Sequence, residues 1–262
     1  MRHLFSLFFL CLATPAQATE VDVELALMVD VSRSMGPVEL EIQRRGYAEA
    51  IASDEVVGAI LNSLTGSIAL AYFEWAGYGL QREILPWTLI DSRDAAEQAS
   101  KTLTANHDNY MRRTSISGAI DFARLSVREN DFTGIRQVID ISGDGPNNDG
   151  RPVTEARNEA VSEGLIINGL PLMTTDSTSY WSIDDLDVYY EACVVGGPGA
   201  FVIPVLDWKD FPLAVRRKIV LELVGPAEVL QVRDRTGSAD KDYDCLIGEK
   251  LRRERELLYG EP

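Results

Sequence analysis

The sequence predicts an α/β domain: a doubly wound, mostly parallel six-stranded sheet with helices on both faces and one antiparallel edge strand. Three observations carry this. Short apolar, β-branched runs alternate with helical patterns from about residue 20 to residue 225, the order that a parallel sheet with crossover helices requires. The chain length of 262 residues suits one such domain with a short appendage. Two of the runs are joined by a short glycine-containing link, so one of that pair runs antiparallel.

The first eighteen residues, "MRHLFSLFFLCLATPAQA", stand outside the domain. A basic start, an apolar run too short to span a bilayer and an Ala-Gln-Ala ending predict a signal peptide cleaved after Ala18. The expected location is therefore periplasmic or secreted, with no later membrane-spanning segment. The first strand follows at 22–31, around "VELALMV". A helix is expected over 37–52, with Pro37 in its first turn and Gly46 allowing close approach to a sheet. A second, short helix starts at the N-cap Ser53.

Strands at 66–75 and 82–90 flank the Gly77–Gly79 turn, and Pro86 places the second at a sheet edge. Helices are expected near 92–103 and 115–127, then a strand at 137–141, a helix at 153–163 and a strand at 165–173. A short helix in "IDDLDVYYEACVV", a sixth strand at 200–207 and a helix from about Asp210 complete the domain. Residues 226–262 are charged and weakly patterned. They read as a loosely structured polar tail with room for one helix at 247–258.

Composition narrows the function. There are 41 Asp and Glu against 25 Lys and Arg, a net charge of −16, which argues against a nucleic-acid backbone as partner. Without Cys11 of the leader two cysteines remain, Cys193 and Cys245. In an oxidising compartment they most simply form one disulfide, stapling the tail to the domain; the alternative is two unrelated thiols. Catalysis has little support. His107 is the single histidine after the leader, no G-x-S-x-G accompanies it, and "GGPGA" lacks the Lys-Ser/Thr of a phosphate loop.

The informative feature is where oxygen donors gather. "DVSRSM" at the end of the first strand supplies Asp30, Ser32 and Ser34, whose alternate spacing lets them converge on one point. "RRTSISGAIDFA" puts Thr114 at the mouth of a helix, and "VIDISGDGPNNDG" leaves a strand into Asp144. In parallel sheets such loops share the carboxyl end, where ligands bind. Five hard oxygen donors without thiolate or imidazole favour Mg²⁺, with Mn²⁺ or Ca²⁺ as alternatives. Each piece has an ordinary reading too: "DVSRSM" as a strand end followed by a helix cap, Thr114 as an N-cap, "GDGPNNDG" as a turn. Asp140, inside an apolar strand, needs a partner; Arg136 or a nearby loop is the candidate. The acidic, aromatic "DSTSYWSIDDLD" reads as a solvated loop or a partner-contact loop.

Taken together, D-x-S-x-S after a buried strand, a threonine opening a later helix and an Asp-Gly after a fourth strand resemble the metal-ion-dependent adhesion site (MIDAS) of von Willebrand factor A (VWA) domains. The resemblance spans roughly residues 20–225. "VIDISGDGPNN", "LIINGLP", "YYEACVVGGPGAFV" and "EWAGYGLQREILPW" resemble more narrowly a secreted bacterial subfamily without assigned function. The resemblance implies a Rossmann-like VWA fold. It also implies Ser32, Ser34 and Thr114 on or near the metal, Asp30 and Asp144 holding it partly through water, and a vacant position that takes a partner's carboxylate. Two departures stand out: Arg33 replaces the family's usual glycine, and Gly118 lies one place late. Arg33, Arg112 and Arg113 form a cationic rim that can contact an anionic ligand or remain solvated. The expected function is an exported module binding a protein partner through an acidic side chain. The alternative is a metal-dependent, phosphoesterase-like hydrolase using the same site.

Overall fold

The structure, a computed structural model, describes residues 18–105, 111–174, 182–225 and 243–259. The leader up to residue 17, His107, most of the "DSTSYWS" loop and the stretch 226–242 lie outside the described residues.

Strand β1 (Thr19–Asp30) is the middle of the sheet, which explains why every residue from Val21 to Asp30 is buried. It pairs in parallel with β2 (Ile68–Trp75) on one side and β4 (Phe132–Gly143) on the other. Beyond β2 lies β3 (Gln81–Ile90), antiparallel; beyond β4 lies β5 (Ile166–Pro171), parallel, giving the order β3-β2-β1-β4-β5. The β2–β3 link turns at Gly79, whose φ of 72° suits glycine. Pro86 sits on the edge strand, where a missing N–H costs no ladder bond inside the sheet.

Side-chain alternation along β1 sorts the helices onto two faces. Leu25, Leu27 and Val29 pack with α1 (Pro37–Ile51), α2 (Asp54–Leu61), α3 (Arg93–Thr104) and α7 (Phe211–Val224). Ala26 and Met28 face α4 (Ile116–Glu129), α5 (Val153–Ser162), the short α6 (Leu186–Tyr189) and its continuing turn Tyr190–Val194. Ile116, Ala119, Ile120, Ala123 and Val127 of α4 recur at helical spacing and are all buried.

Four expectations need correction. The sheet has five strands, not six. Residues 200–207 run beside β5 but pair only through isolated bridges, Gly169 with Val202 and Leu172 with Val205. Pro204 interrupts them, having no N–H to donate. Gly46 of α1 is crowded not by the sheet but by Phe211 of α7: a Cβ there would lie 2.7 Å from Phe211 Cε1. Asp140 pairs neither with Arg136 nor with a loop but with Lys218 of α7 (Nζ–Oδ1 2.7 Å), which also meets Glu222 at 2.5 Å. Finally, the C-terminal helix, α8 (Ile247–Tyr259), is not a loose tail. It docks on the domain, tethered by a Cys193–Cys245 disulfide with Cα atoms 5.5 Å apart. Among the described residues no helix is long and apolar enough to cross a membrane.

Candidate metal centre

The loops that leave β1 and β4 meet at the carboxyl end of the sheet. Asp30, the last residue of β1, turns its carboxylate onto its own loop, and Ser32 N donates to Asp30 Oδ1 at 2.7 Å. Ser32 and Ser34 hydroxyls are 2.9 Å apart, and Ser34 Oγ donates to Asp144 Oδ1 at 2.8 Å. Four of the five expected donors thus form one continuous polar chain. The loop is anchored from α1 by Gln43 Nε2, which donates to the Asp30 carbonyl at 3.1 Å.

Thr114 reaches the same end by backbone contacts. Met111 pairs with Ser32, Gly77 N donates to Arg112 O at 3.0 Å, and Ser115 N donates to Ala76 O at 2.7 Å. Asn148 then clasps Thr114 from both sides: Thr114 N donates to Asn148 Oδ1 (3.0 Å) and Asn148 N to Thr114 O (2.8 Å). The N-cap of α4 is Ser115, whose Oγ accepts from Gly118 N at 3.1 Å, so capping does not use the Thr114 hydroxyl.

Burial sets the electrostatics. Asp30 is fully enclosed, and this together with the neighbouring Asp144 charge raises its pKa well above the usual carboxylate range; hydrogen bonds from Ser32 pull the other way. Asp144 is pushed up to about 6 by burial, partly offset by the Ser34 bond and reinforced by the Glu39 charge. Among the described residues, Asp30 Oδ2 and Asp144 Oδ2 are buried without a hydrogen-bond partner. Gly143 leaves the space around Asp30 Oδ2 open, since a Cβ there would stand 3.0 Å from that oxygen and 3.0 Å from the Tyr190 hydroxyl. Two buried carboxylates with an orphaned oxygen each, flanked by serine hydroxyls, fit a hard divalent cation. The donor set is hydroxyl-rich: among the described residues no three or more His, Cys, Asp and Glu are placed so that they alone could hold a metal ion.

The arginine rim divides. Arg33 and Arg112 are exposed and line, with Met35, Gly36, Pro37 and Met111, an open depression of about 420 Å³. Arg113, at a φ of 72°, turns instead toward Asp149, 3.4 Å away. Asn147, Asn148 and Asp149, beside Asp144 in the sequence, read as a turn, as outer supports of the site or as a separate calcium contact. Tyr78, Tyr189, Glu249 and Arg252 carried no sequence signal for this region. Asn147 looks like a turn residue, yet its Oδ1 accepts from Ser117 N (3.0 Å) and its backbone N donates to the Tyr189 hydroxyl (3.1 Å). Asp149 joins Tyr78 N (2.8 Å) and Arg252 (2.8 Å), and Glu249 accepts from Asn147 Nδ2 at 2.8 Å. Such partners come from distant elements and have no spacing rule.

Residues 20–227 match the family described as "Protein of unknown function (DUF1194)". The chain belongs to that family. No curated protein matches it in sequence. Among solved structures, this DUF1194 chain is similar to proximal thread matrix protein 1 from the mussel byssus with a zinc-occupied MIDAS motif. Identity there is 15%, the TM-score 0.52, and 80% of this chain and 49% of that one are covered. It is also similar to the pilus adhesin SpaC from Lactobacillus rhamnosus GG, at 10% identity and TM-score 0.56, covering 78% and 31% of the two chains. The DUF1194 chain thus spans about half the mussel protein and under a third of the adhesin. At such identities the likeness concerns the fold, which is VWA-like.

Proposed function

We propose that this chain is an exported, metal-dependent protein-binding module. In this reading Asp30, Ser32, Ser34, Thr114 and Asp144 hold a divalent cation that recognises a carboxylate on a partner protein. The observation that carries it is the pair of orphaned oxygens, Asp30 Oδ2 and Asp144 Oδ2, buried beside a chain of serine hydroxyls. Two charged carboxylates packed together out of water are costly unless a cation lies between them or one takes up a proton, and the adjoining serine hydroxyls suit the cation.

A cation held largely by neutral hydroxyls keeps excess positive charge, so an anionic ligand completes its shell. Magnesium suits this best, because it retains waters that a ligand can replace. Arg33 and Arg112, exposed beside the depression, supply charge-assisted donors to the same anion. Export is supported by the leader-like residues 1–18 and by the disulfide, which oxidising compartments preserve. An adhesin and a matrix protein of similar fold agree with a binding role.

Calorimetry on the chain from Thr19 onward, titrated with Mg²⁺ and Mn²⁺, tests the reading. Uptake is expected in the native sequence and its loss in Asp30→Ala, with the circular-dichroism spectrum retained. Capture from envelope extracts should then be abolished by chelator. No uptake of either ion, with or without an added carboxylate, would sink the proposal.

A further inference from the structure

The family match stops at residue 227, yet the described chain returns at 243 and puts α8 directly on the loop that carries Asp144. Three contacts make this a close docking. Gly248 lies against the Asn147 carbonyl and Pro146, so that any side chain at 248 would collide with the loop backbone. Glu249 Oε1 accepts from Asn147 Nδ2 at 2.8 Å. Arg252 Nη1 donates to the Asn148 carbonyl at 3.0 Å and to Asp149 Oδ1 at 2.8 Å.

The loop residues held in this way are those that hold the site. Asn147 Oδ1 fixes Ser117 N, and Asn148 clasps the Thr114 backbone on both sides. Asp149 ties in Tyr78 N and Arg113. Thus α8 grips one loop, and that loop grips the segment bearing Thr114. The helix cannot drift away, because Cys245 just before it is bonded to buried Cys193, and Tyr243 Oη donates to Asp185 at 3.0 Å. A thirteen-residue charged helix has little stability by itself, so its order comes from these contacts.

We propose that α8 is a clamp on the candidate metal centre, with Glu249 and Arg252 as positioning residues that hold the Asp144–Asp149 loop and, through Asn147 and Asn148, Thr114. This rests on the reading of Asp30, Ser32, Ser34, Thr114 and Asp144 as a cation site. It adds that the site is complete only with a segment outside the family match. Outer contacts of this kind commonly change metal affinity by about 10- to 100-fold.

The test compares the native chain with a Glu249→Ala/Arg252→Ala double variant and with Gly248→Val. Glu254→Ala, on an exposed position of the same helix, is the control. Amide hydrogen exchange in metal-free protein should rise in residues 144–149 and 113–118 of both test variants, while β1 and β2 keep their protection. Mg²⁺ affinity should fall about tenfold or more, and the control should match the native chain on both counts. Unchanged exchange in those stretches overturns the clamp. Faster exchange with unchanged Mg²⁺ affinity overturns it too, because the helix would then hold a loop without bearing on the site. If the native chain takes up no Mg²⁺, the proposed function falls separately and the exchange measurement alone decides the clamp.

Discussion

The buried ion cluster on β4 and α7 shows what single residues contribute. Lys218 is fully buried, and its ammonium joins Asp140 and Glu222, with Asn168 Nδ2 donating to Glu222 Oε1 at 3.0 Å. Burial pushes the Asp140 carboxyl up to about 7 although Lys218 opposes the shift. Removing the only ammonium of the trio would leave two carboxylates facing each other out of water. Lys218→Met should therefore cost about 3–5 kcal/mol in urea unfolding; a loss below about 1 kcal/mol would show that the carboxylates shed their charge without penalty. That Asp140 needed a partner was legible from its place in "VIDIS". Lys218 was not, because pairing between a strand and a helix 78 residues on depends on which face α7 covers. The same holds for the candidate metal centre. Asp30, Ser32, Ser34 and Asp144 stood out through spacing within short loops, and the structure joins all four. Asn147 and Asn148 act through contacts that cross the fold.

Among elements, α1 and α7 illustrate packing that overrides local preference. Gly46 is buried mid-helix, and Phe211, held between Tyr47 (5.9 Å) and Trp208 (5.5 Å), has no room to retreat. Alanine normally gains about 1 kcal/mol over glycine inside a helix. Overpacking a core costs about 1–3 kcal/mol, so Gly46→Ala should be net destabilising, or at best neutral, in chemical denaturation. A clear gain in stability would mean that α1 and α7 separate more easily than their contact suggests. Helix and strand identities were largely readable, since periodicity and caps act locally: Ser53, Ser92 and Ser115 each cap the helix that follows. The segment at 200–207 misled because its apolar alternation is that of a strand, while Pro204 denies it a regular ladder.

At the scale of the molecule, the Cys193–Cys245 bond spans 52 residues. Closing a loop of that length constrains the unfolded chain by about 4 kcal/mol in the chain-entropy picture. A dithiol reductant should accordingly lower the unfolding temperature by several degrees, with α8 losing protection first. Equal melting with and without reductant would show that the staple contributes nothing beyond the contacts of α8. Cysteine parity in a chain with an export-type leader pointed to this bond, and the docked helix gives it a place to act.

The sequence by itself determined the α/β class, the antiparallel edge, most helix starts and the short loops that bear Asp30, Ser32, Ser34 and Asp144, because each depends on a few neighbouring residues and the stereochemistry of a strand or helix. Tertiary structure alone decided the five-strand count, the Lys218 pairing and the engagement of α8 with the Asp144 loop. These are contacts between segments far apart in the chain, and which of many compatible surfaces meet is settled only when the whole core packs.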